Sequence, residues 1–551
     1  MNEAKHHIAR KAPSLPTCIL WGGVVMAVIG VIIFFFMKKR NTESSVLIFG
    51  GAAVDITATT KADILLKTSY ESGNAQTFGG VGRNIAANMA TLGKLFAPST
   101  PPRITLVSPI GGDWFGHSIK DHLTTLGVDT AHLIRCPDKR TASSIILFDR
   151  QGDWYTCAAD FGIMQMFTPQ RVCLIPTHLH TVHMHSPRTG LLSACRLLSA
   201  CRLLSACCPP AIVEELDRLA KGARLVVADS NLSPAALDAL TAACQRRGLP
   251  VVGTPVSVPK VLPFGPLLDR LAVLTLNEHE LLRLAPATMP PGWAPVHGPW
   301  LRRALRAGWL AAQPTSEAAA AADWDEQAEQ EETRLLREGR LRVHYPHWMD
   351  SDRQRAERRL EAAYRRAVCA REAAKITAAG QPLTEAALGG CLWDEMERLR
   401  WVGAQGARMV VLHFGPRGIR VLLRDDPPAP NNATGAVVGG DADGPLGPWF
   451  DYVLHPAFEA NVSTTVGAGD SFDGAFLFSL LHQGTLGRGS RRVGVPEVLA
   501  GVRLGSELAK MTVEATGATR GDLTTRRQLE QILNSTAALP LTPAPPPVAY
   551  L

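Results

Sequence analysis

The sequence predicts an α/β protein with a mainly parallel central sheet, helices on both of its faces and a small β lid at its side. Short apolar runs typical of buried strands alternate with stretches of helical periodicity along much of the chain. A further pair of runs, 143–149 and 154–158, flanks Gly152-Asp153, which indicates an antiparallel hairpin beside the sheet.

The predicted strands and helices follow one another through the body of the chain. Strands are predicted over 46–53, 104–110, 224–229, 250–252, 271–276, 408–412 and 419–423. Helical patterns cover 84–92, 115–126, 211–221, 234–247 and 471–482. Because strands joined through helices run parallel, we expect both faces of the sheet to be covered.

Composition limits the class of protein. The chain has 551 residues, of which 46% are hydrophobic and 19% are charged, as in a globular protein with a large core. Its formal net charge of +7 is spread along the sequence, so no nucleic-acid partner is predicted. The 11 cysteines include no Cys-x-x-Cys pair, so neither a structural zinc site nor a disulfide scaffold is predicted.

The N-terminal segment contains a predicted membrane anchor. After a tail at 1–16, residues 17–37 carry no charge, and Lys-Lys-Arg follows at 38–40. A helix of this length spans the hydrocarbon core of a bilayer. The compact basic cluster favours a single-pass protein whose C-terminal body faces the cytosol. A cleaved targeting segment is the alternative interpretation.

The rest of the chain divides into a body and a tail. The body is predicted over 41–535, with inserted segments at about 174–210, 290–400 and 425–448. Residues 536–551 are rich in proline, which is typical of a disordered tail.

The strongest chemical motif is a glycine-rich segment at 465–476, in which small residues end in Asp470 and an apolar helix follows. Amides at a helix start point outward, and the helix dipole favours an anion there. Gly467, Ala468 and Gly469 therefore predict an anion hole for a phosphate. Asp470 at its edge is a candidate general base for an attacking hydroxyl. A glycine-rich helix start without a ligand is the structural alternative.

A second glycine-rich helix start lies at 79–93. Gly79 and Gly80 precede a helix whose first turn carries Asn84. An amide both donates and accepts hydrogen bonds, which suits the vicinal hydroxyls of a sugar. A glycine turn that only caps a helix is the alternative.

With these motifs the chain resembles the PfkB, or ribokinase-like, family of sugar kinases. That family has an N-terminal strand ending in Asp, a Gly-Gly-x-x-x-Asn helix start, an Asn-x-x-Glu motif and a Gly-Ala-Gly-Asp motif, in this order. The matching positions are Asp55, Gly79 to Asn84, Asn277 to Glu280 and Gly467 to Asp470. The resemblance covers 46–285 and 405–520 and implies a three-layer αβα sandwich with a β lid.

Within the family, the sequence is most similar to the pseudouridine kinases at 79–86, 140–160, 226–233 and 250–260. This resemblance implies ATP-dependent phosphorylation of a primary hydroxyl, namely the 5′-hydroxyl of pseudouridine. Another sugar or nucleoside is an alternative acceptor. A kinase-fold scaffold that binds a partner through 290–400 is an alternative of a different class.

The resemblance also implies a role for each motif residue. It implies that the sugar is bound by Asp55, Gly79, Gly80 and Asn84, and that Asp470 is the base that takes the hydroxyl proton. It also implies that charge on the transferring phosphoryl group is stabilised by Gly467, Ala468 and Gly469. It assigns Mg²⁺, through water, to Asn277 and Glu280, and the nucleotide to Gly415 and Gly418. The 140–160 flap would exclude water as a lid.

Several positions depart from the family pattern. His413 stands where a Thr that faces the nucleotide is common. Thr464 replaces an Asp that helps some members bind a potassium-like ion, which argues against activation by a monovalent cation. Ala53 replaces a ribose-binding Asn, which disfavours ribose itself. The sequence leaves open whether the protein is a homodimer.

Overall fold

The computed structural model describes residues 45–514, with gaps at 65–66, 70, 151–153, 168–215, 218, 221, 294, 297–340, 347–348, 385–386, 425–449, 461–465 and 490–492. The predicted anchor, the tail and the insertions at 174–210 and 425–448 lie outside these residues and stay predictions. None of the helices in the described ranges is at once long and apolar enough to cross a membrane.

The described part of the chain alternates strands and helices. The strands are β1 (Ser45–Phe49), β2 (Ala53–Thr60), β3 (Ser72–Gly79), β4 (Arg103–Val107), β5 (Pro109–Gly111), β6 (Ile134–Cys136), β7 (Ala142–Phe148), β8 (Trp154–Asp160), β9 (Ala223–Asp229), β10 (Val251–Thr254), β11 (Val273–Asn277), β12 (Leu341–His344), β13 (Met409–His413), β14 (Ile419–Arg424) and β15 (Phe450–His455). The α-helices are α1 (Val81–Phe96), α2 (Trp114–Leu126), α3 (Pro234–Arg246), α4 (Glu278–Leu284), α5 (Ser351–Ala378), α6 (Gly389–Leu392), α7 (Glu395–Ala404), α8 (Ala468–His482) and α9 (Val495–Val513).

The central sheet is mainly parallel, as the sequence predicts. Its strands lie in the order β12-β15-β14-β13-β11-β10-β9-β1-β4. Neighbours pair in parallel except at β14, which is antiparallel to both β13 and β15. The exception arises because a tight turn joins β13 directly to β14, whereas helices connect most of the parallel strands.

Both faces of the central sheet are buried. Along β1, Val46 and Ile48 belong to one apolar core, and Leu47 and Phe49 belong to the other. Helices α1, α8 and α9 cover the first face, while α3, α7 and a 3₁₀ helix at 258–270 cover the second. Two-sided burial explains why these strands are continuous apolar runs in the sequence.

A smaller sheet of four strands, in the order β3-β2-β7-β8, lies where the β lid is predicted and is called the lid sheet below. Strands β7 and β8 form the predicted antiparallel hairpin, and β2 joins them by pairing in parallel with β7. Strand β2 follows β1 closely and β3 leads directly into α1, so two lid strands are attached to the central sheet beside the second glycine-rich motif.

Part of the 290–400 segment packs onto the central sheet. Strand β12 forms its edge by pairing with β15. Helix α7 places Met396, Leu399 and Val402 in the second core. Cys369 and Cys391 form a disulfide between α5 and α6, a pairing that the cysteine spacing did not predict.

Candidate active site

Three strands of the central sheet end in polar residues at the same edge, and one of these, Asn277, is a predicted site residue. Asp229, Asn277 and His413 are the last residues of β9, β11 and β13. The carboxyl ends of parallel strands meet at the same edge, which is where α/β proteins place their ligands. Residues that are far apart in the sequence therefore meet here.

A hydrogen bond joins the two glycine-rich motifs. Asn84 Nδ2 donates to Asp470 Oδ2 at 2.8 Å, across 386 positions of sequence. At its other end, Asn84 Oδ1 accepts from Arg83 Nη1 at 3.0 Å. The amide predicted to hold a sugar is thus engaged on both sides, and it orients the Asp470 carboxylate.

Arg83 is a residue of the site that the sequence analysis did not single out. It is completely buried, its Nη2 lies 2.8 Å from His122 Nδ1, and its guanidinium lies 5.3 Å from the centre of the Phe78 ring. Burial lowers the pKa of Arg83 to about 10, although the charges of Asp55 and Asp470 oppose this. Arg83 is therefore still a cation at neutral pH and balances the acidic groups around it.

The Asp470 carboxyl has a pKa suited to a general base. Burial raises this pKa to about 7, and repulsion from Asp473, Asp229 and Asp55 adds to the rise. The hydrogen bond from Asn84 opposes it, because that bond favours the charged form. A carboxyl that titrates near neutral pH can accept a proton and release it again.

The backbone before Asp470 is the start of helix α8, where an anion hole is predicted. Gly467 is the N-cap of α8 with φ 79°, a left-handed conformation that favours glycine. Ser471 N donates to Gly467 O, so the helical hydrogen bonds begin there. The amides of Ala468 and Gly469 come before that bond, and the helix offers them no acceptor of its own.

On the lid side, Asp55 of β2 packs against the first glycine-rich motif. A Cβ at Gly79 would lie 2.0 Å from Asp55 Oδ2, so only glycine leaves room for this carboxylate. Burial raises the pKa of Asp55, while a hydrogen bond with Ser144 and the charge of Arg83 lower it. Gly80 caps α1 with φ 91°.

Asp229 connects the end of β1 to the start of α1. Its Oδ2 accepts from Gly51 N at 2.7 Å and from Gly82 N at 3.1 Å. Next to it, Lys260 Nζ donates to Asn231 Oδ1 at 2.6 Å. The sequence analysis assigned no role to these groups, although an Asp at the end of an apolar strand was a usable signal.

Asn277 and Glu280 form a capping box at the start of α4. Asn277 Oδ1 accepts from Glu280 N, and Glu280 Oε2 accepts from Asn277 N, both at 2.9 Å. Each side chain therefore has a structural function, and their predicted role toward Mg²⁺ stays a prediction. Among the described residues, no three His, Cys, Asp or Glu side chains form a metal cluster. Mg²⁺ held mostly by nucleotide phosphates and water would not need one.

Gly415 and Gly418 form the turn between β13 and β14. Both have positive φ, 55° and 86°. A Cβ at Gly418 would lie 2.1 Å from His455 O, whereas the space around Gly415 is open. The close approach of His455 O explains why position 418 is a glycine. The predicted contact of Gly415 and Gly418 with a nucleotide stays a prediction.

The first comparison concerns protein families. Residues 43–208 match the family model described as pfkB family carbohydrate kinase. This match covers less than a third of the chain and confirms the resemblance seen in the motifs.

Curated relatives are similar over shorter stretches. Pseudouridine kinase of Escherichia coli (strain K12) is 29% identical over 123 residues, which are 22% of this chain and 37% of that protein. "Uncharacterized sugar kinase YeiI" of the same organism is 29% identical over 92 residues, 17% of this chain and 23% of that protein. The chain thus aligns with well under half the length of each relative.

Similar solved structures include ribokinases. That of Giardia lamblia has a TM-score of 0.47 at 14% identity and covers 89% of this chain and 99% of its own. That of Arabidopsis thaliana, in complex with ribose and ATP, has a TM-score of 0.44 at 14% identity, with the same coverage of both chains.

Proposed function

We propose that the protein is an ATP-dependent kinase that phosphorylates a primary hydroxyl of a sugar or nucleoside, with pseudouridine as the first acceptor to test. The hydrogen bond between Asn84 and Asp470 is the observation that carries this proposal. It joins a candidate base, an anion-binding helix start and the motif assigned to the acceptor in one place. The pfkB match over 43–208 supports the same class of reaction.

The reaction follows from the roles of these groups. Asp470 takes the proton of the acceptor hydroxyl as its oxygen attacks the γ-phosphorus of ATP. A new O–P bond forms, the bond from that phosphorus to the bridging oxygen breaks, and ADP leaves. Amides of Gly467, Ala468 and Gly469 stabilise the charge on the phosphoryl oxygens. Asp470 then releases its proton to solvent, which a pKa near 7 permits.

Other site residues bind and orient the substrates. Asp55, beside Gly79 and Gly80, would hold acceptor hydroxyls, and Asn84 would hold Asp470 in place. Asn277 and Glu280 would order water around Mg²⁺, which supplies charge neutralisation to the nucleotide phosphates when bound. The lid sheet would exclude water from the phosphoryl group.

Two observations favour a nucleoside as the acceptor. The first is the similarity to pseudouridine kinase over 123 residues. The second is the polar side chain of Asn231, which lies beside the end of β1. A Cβ built on Gly51 would be 2.7 Å from Asn231 Nδ2, and Lys260 donates a hydrogen bond to Asn231 Oδ1. Phe161 lies 5.0 Å from the Lys260 ammonium. An aromatic face with amide and ammonium groups can stack on and hydrogen-bond to a base.

Turnover with an acceptor panel tests the proposal. The full chain is incubated with ATP, Mg²⁺ and pseudouridine, uridine, other nucleosides or free sugars, and ADP release is measured. We expect acceptor-dependent ADP release that falls about 10²–10⁴-fold in Asp470→Asn. The exposed Asp121→Asn on α2 is the matched control and should keep full activity. No turnover with any acceptor would contradict the proposal and favour the scaffold alternative.

A further inference from the structure

Arg83 lies where the lid sheet, helix α2 and the candidate base meet. Its Nη1 donates to Asn84 Oδ1 at 3.0 Å and to Phe78 O, near the end of β3, at 3.4 Å. Its Nη2 lies 2.8 Å from Nδ1 of His122 on α2, and its guanidinium lies over the Phe78 ring. The side chain is completely buried, so these contacts fix the position of the guanidinium.

His122 holds this guanidinium as an acceptor. Burial and the charge of Arg83 lower the pKa of His122 to about 4, so its ring is uncharged at neutral pH. A neutral imidazole has one nitrogen that accepts, and a guanidinium has donors only, so Nδ1 is the acceptor in this pair. Turning the guanidinium away from Asn84 would cost it the acceptors on His122 and Phe78.

The Asn84 amide has two possible orientations, and they bind different partners, because its oxygen only accepts and its nitrogen only donates. Arg83 offers no acceptor and therefore selects the orientation in which Asn84 Oδ1 faces it. Asn84 Nδ2 then faces Asp470 Oδ2 at 2.8 Å and donates to it. In the opposite orientation Oδ1 would face Asp470 and could accept only from a protonated carboxyl.

We infer that Arg83 is a positioning residue that fixes the orientation of the Asn84 amide, so that Asp470 receives an N–H donor and is held as a carboxylate. Arg83 acts through Asn84 in this role and does not touch the reacting atoms. That Asp470 serves as a base rests on the proposed function, whereas the orientation of the amide does not.

Other ionisable groups act on Asp470 from the elements around it. They are Asp473 on α8 itself, Asp55 on β2, Asp229 at the end of β9 and His413 at the end of β13. The three carboxylates oppose ionisation of Asp470, whereas the cation at position 83 favours it. Removing Arg83 therefore withdraws an attractive charge as well as the constraint on the amide, and the test has to separate the two.

The pH dependence of kcat/KM for the full chain separates them in a double-mutant cycle. Arg83→Met should move the midpoint upward by about 1–2 units. In the Asn84→Ala background the same substitution should move it by less than half as much, because no amide is left to turn. Arg83→Lys keeps a cation that only donates and should stay closer to wild type. Arg103→Met, which removes an exposed arginine paired with Asp129, is the control and should leave the midpoint unmoved.

Carbon-13 NMR follows the ionisation of Asp470 without turnover. The side-chain carboxyls of the aspartates are labelled in the full chain, and the Asp470 signal is the one that Asp470→Asn removes. The titration midpoints of the variants should follow the same order as in the kinetic profiles. If Arg83→Met does not fold, Arg83→Gln takes its place, because a glutamine amide accepts as well as donates and leaves Asn84 able to turn.

The outcomes separate the two proposals. If Arg83→Met moves the Asp470 midpoint equally with and without Asn84, Arg83 acts by its charge alone and the inference is wrong. Variants that lower kcat/KM or stability with an unmoved midpoint would show a merely structural role and would also overturn it. If the wild-type chain turns over no acceptor, the kinase proposal fails, while the NMR titration still decides the inference about Arg83.

Discussion

Replacing Asn84 with alanine tests how the site sets the pKa of its base. Asn84 Nδ2 donates to Asp470 Oδ2 at 2.8 Å and thereby favours the charged carboxylate. A hydrogen bond to a charged group is worth about 1.5–3 kcal/mol, and one pKa unit corresponds to about 1.4 kcal/mol. Asn84→Ala should therefore raise the pKa of Asp470 by about 1–2 units from its value of about 7.

The assay is the pH dependence of kcat/KM, which reports ionisation in the free enzyme. The base acts when ionised, so activity rises with pH through its pKa, and the variant's midpoint should lie about 1–2 units higher. At pH 7 this shift alone lowers kcat/KM ~5- to 50-fold, and the deficit shrinks as the pH rises. Weaker acceptor binding lowers the whole profile without moving its midpoint. Asn88→Ala, on the same helix and bonded to Ser471, is the matched control. An unmoved midpoint in Asn84→Ala would refute the reasoning.

Four further results are expected. Gly79→Ala places a Cβ 2.0 Å from the Asp55 carboxylate oxygen Oδ2. In steady-state kinetics, kcat/KM for the acceptor should therefore fall ~100-fold, while the KM for ATP should change little. Gly415→Ala should lower the free energy of unfolding in urea by about 1–2 kcal/mol, because its backbone is left-handed. Gly418→Ala should lower it clearly more, because His455 O would lie 2.1 Å from the new Cβ, and equal losses would contradict this. Arg400→Met removes the cation paired with the buried Glu397 carboxylate, which keeps only its hydrogen bonds from Trp293 and Val296. The free energy of unfolding should fall by about 3–5 kcal/mol in the same experiment, and a loss under about 1 kcal/mol would count against this. Deleting residues 17–37 should release the chain from the membrane fraction of cells, and an unchanged distribution would rule out the predicted anchor.

The sequence predicts the centre of the fold better than its edges. Strands buried on both faces, such as β9 and β13, are short continuous apolar runs and were predicted within a residue or two. Strand β3 was missed because its sequence, SGNAQTFG, is polar and largely exposed. Strand β12 was missed because it lies inside the 290–400 segment, which was predicted as an insertion outside the sheet. Helix α9 and strand β15 were also not predicted.

In the candidate site, the sequence identifies motif residues but not their partners. The spacing of Gly79, Gly80 and Asn84 indicates a helix start, yet it cannot show that Arg83 and Asp470 occupy both ends of the Asn84 amide. Such pairs depend on how distant helices pack, which local patterns do not encode. The Asn-x-x-Glu motif shows the opposite case, because its capping box is local and its spacing alone is a sufficient signal, although the sequence analysis did not use it.

The separation of 386 positions between Asn84 and Asp470 has a consequence for how this protein folds during its synthesis on the ribosome. The turn at 79–84 emerges early, together with Asp55, the first of the two carboxylates that act on the buried Arg83, but the second carboxylate, Asp470, is synthesised much later. A nascent or truncated chain that stops before position 467 would leave Arg83 with Asp55 alone and would leave the Asn84 amide without its carboxylate partner. The candidate site should therefore assemble only after helix α8 has been synthesised.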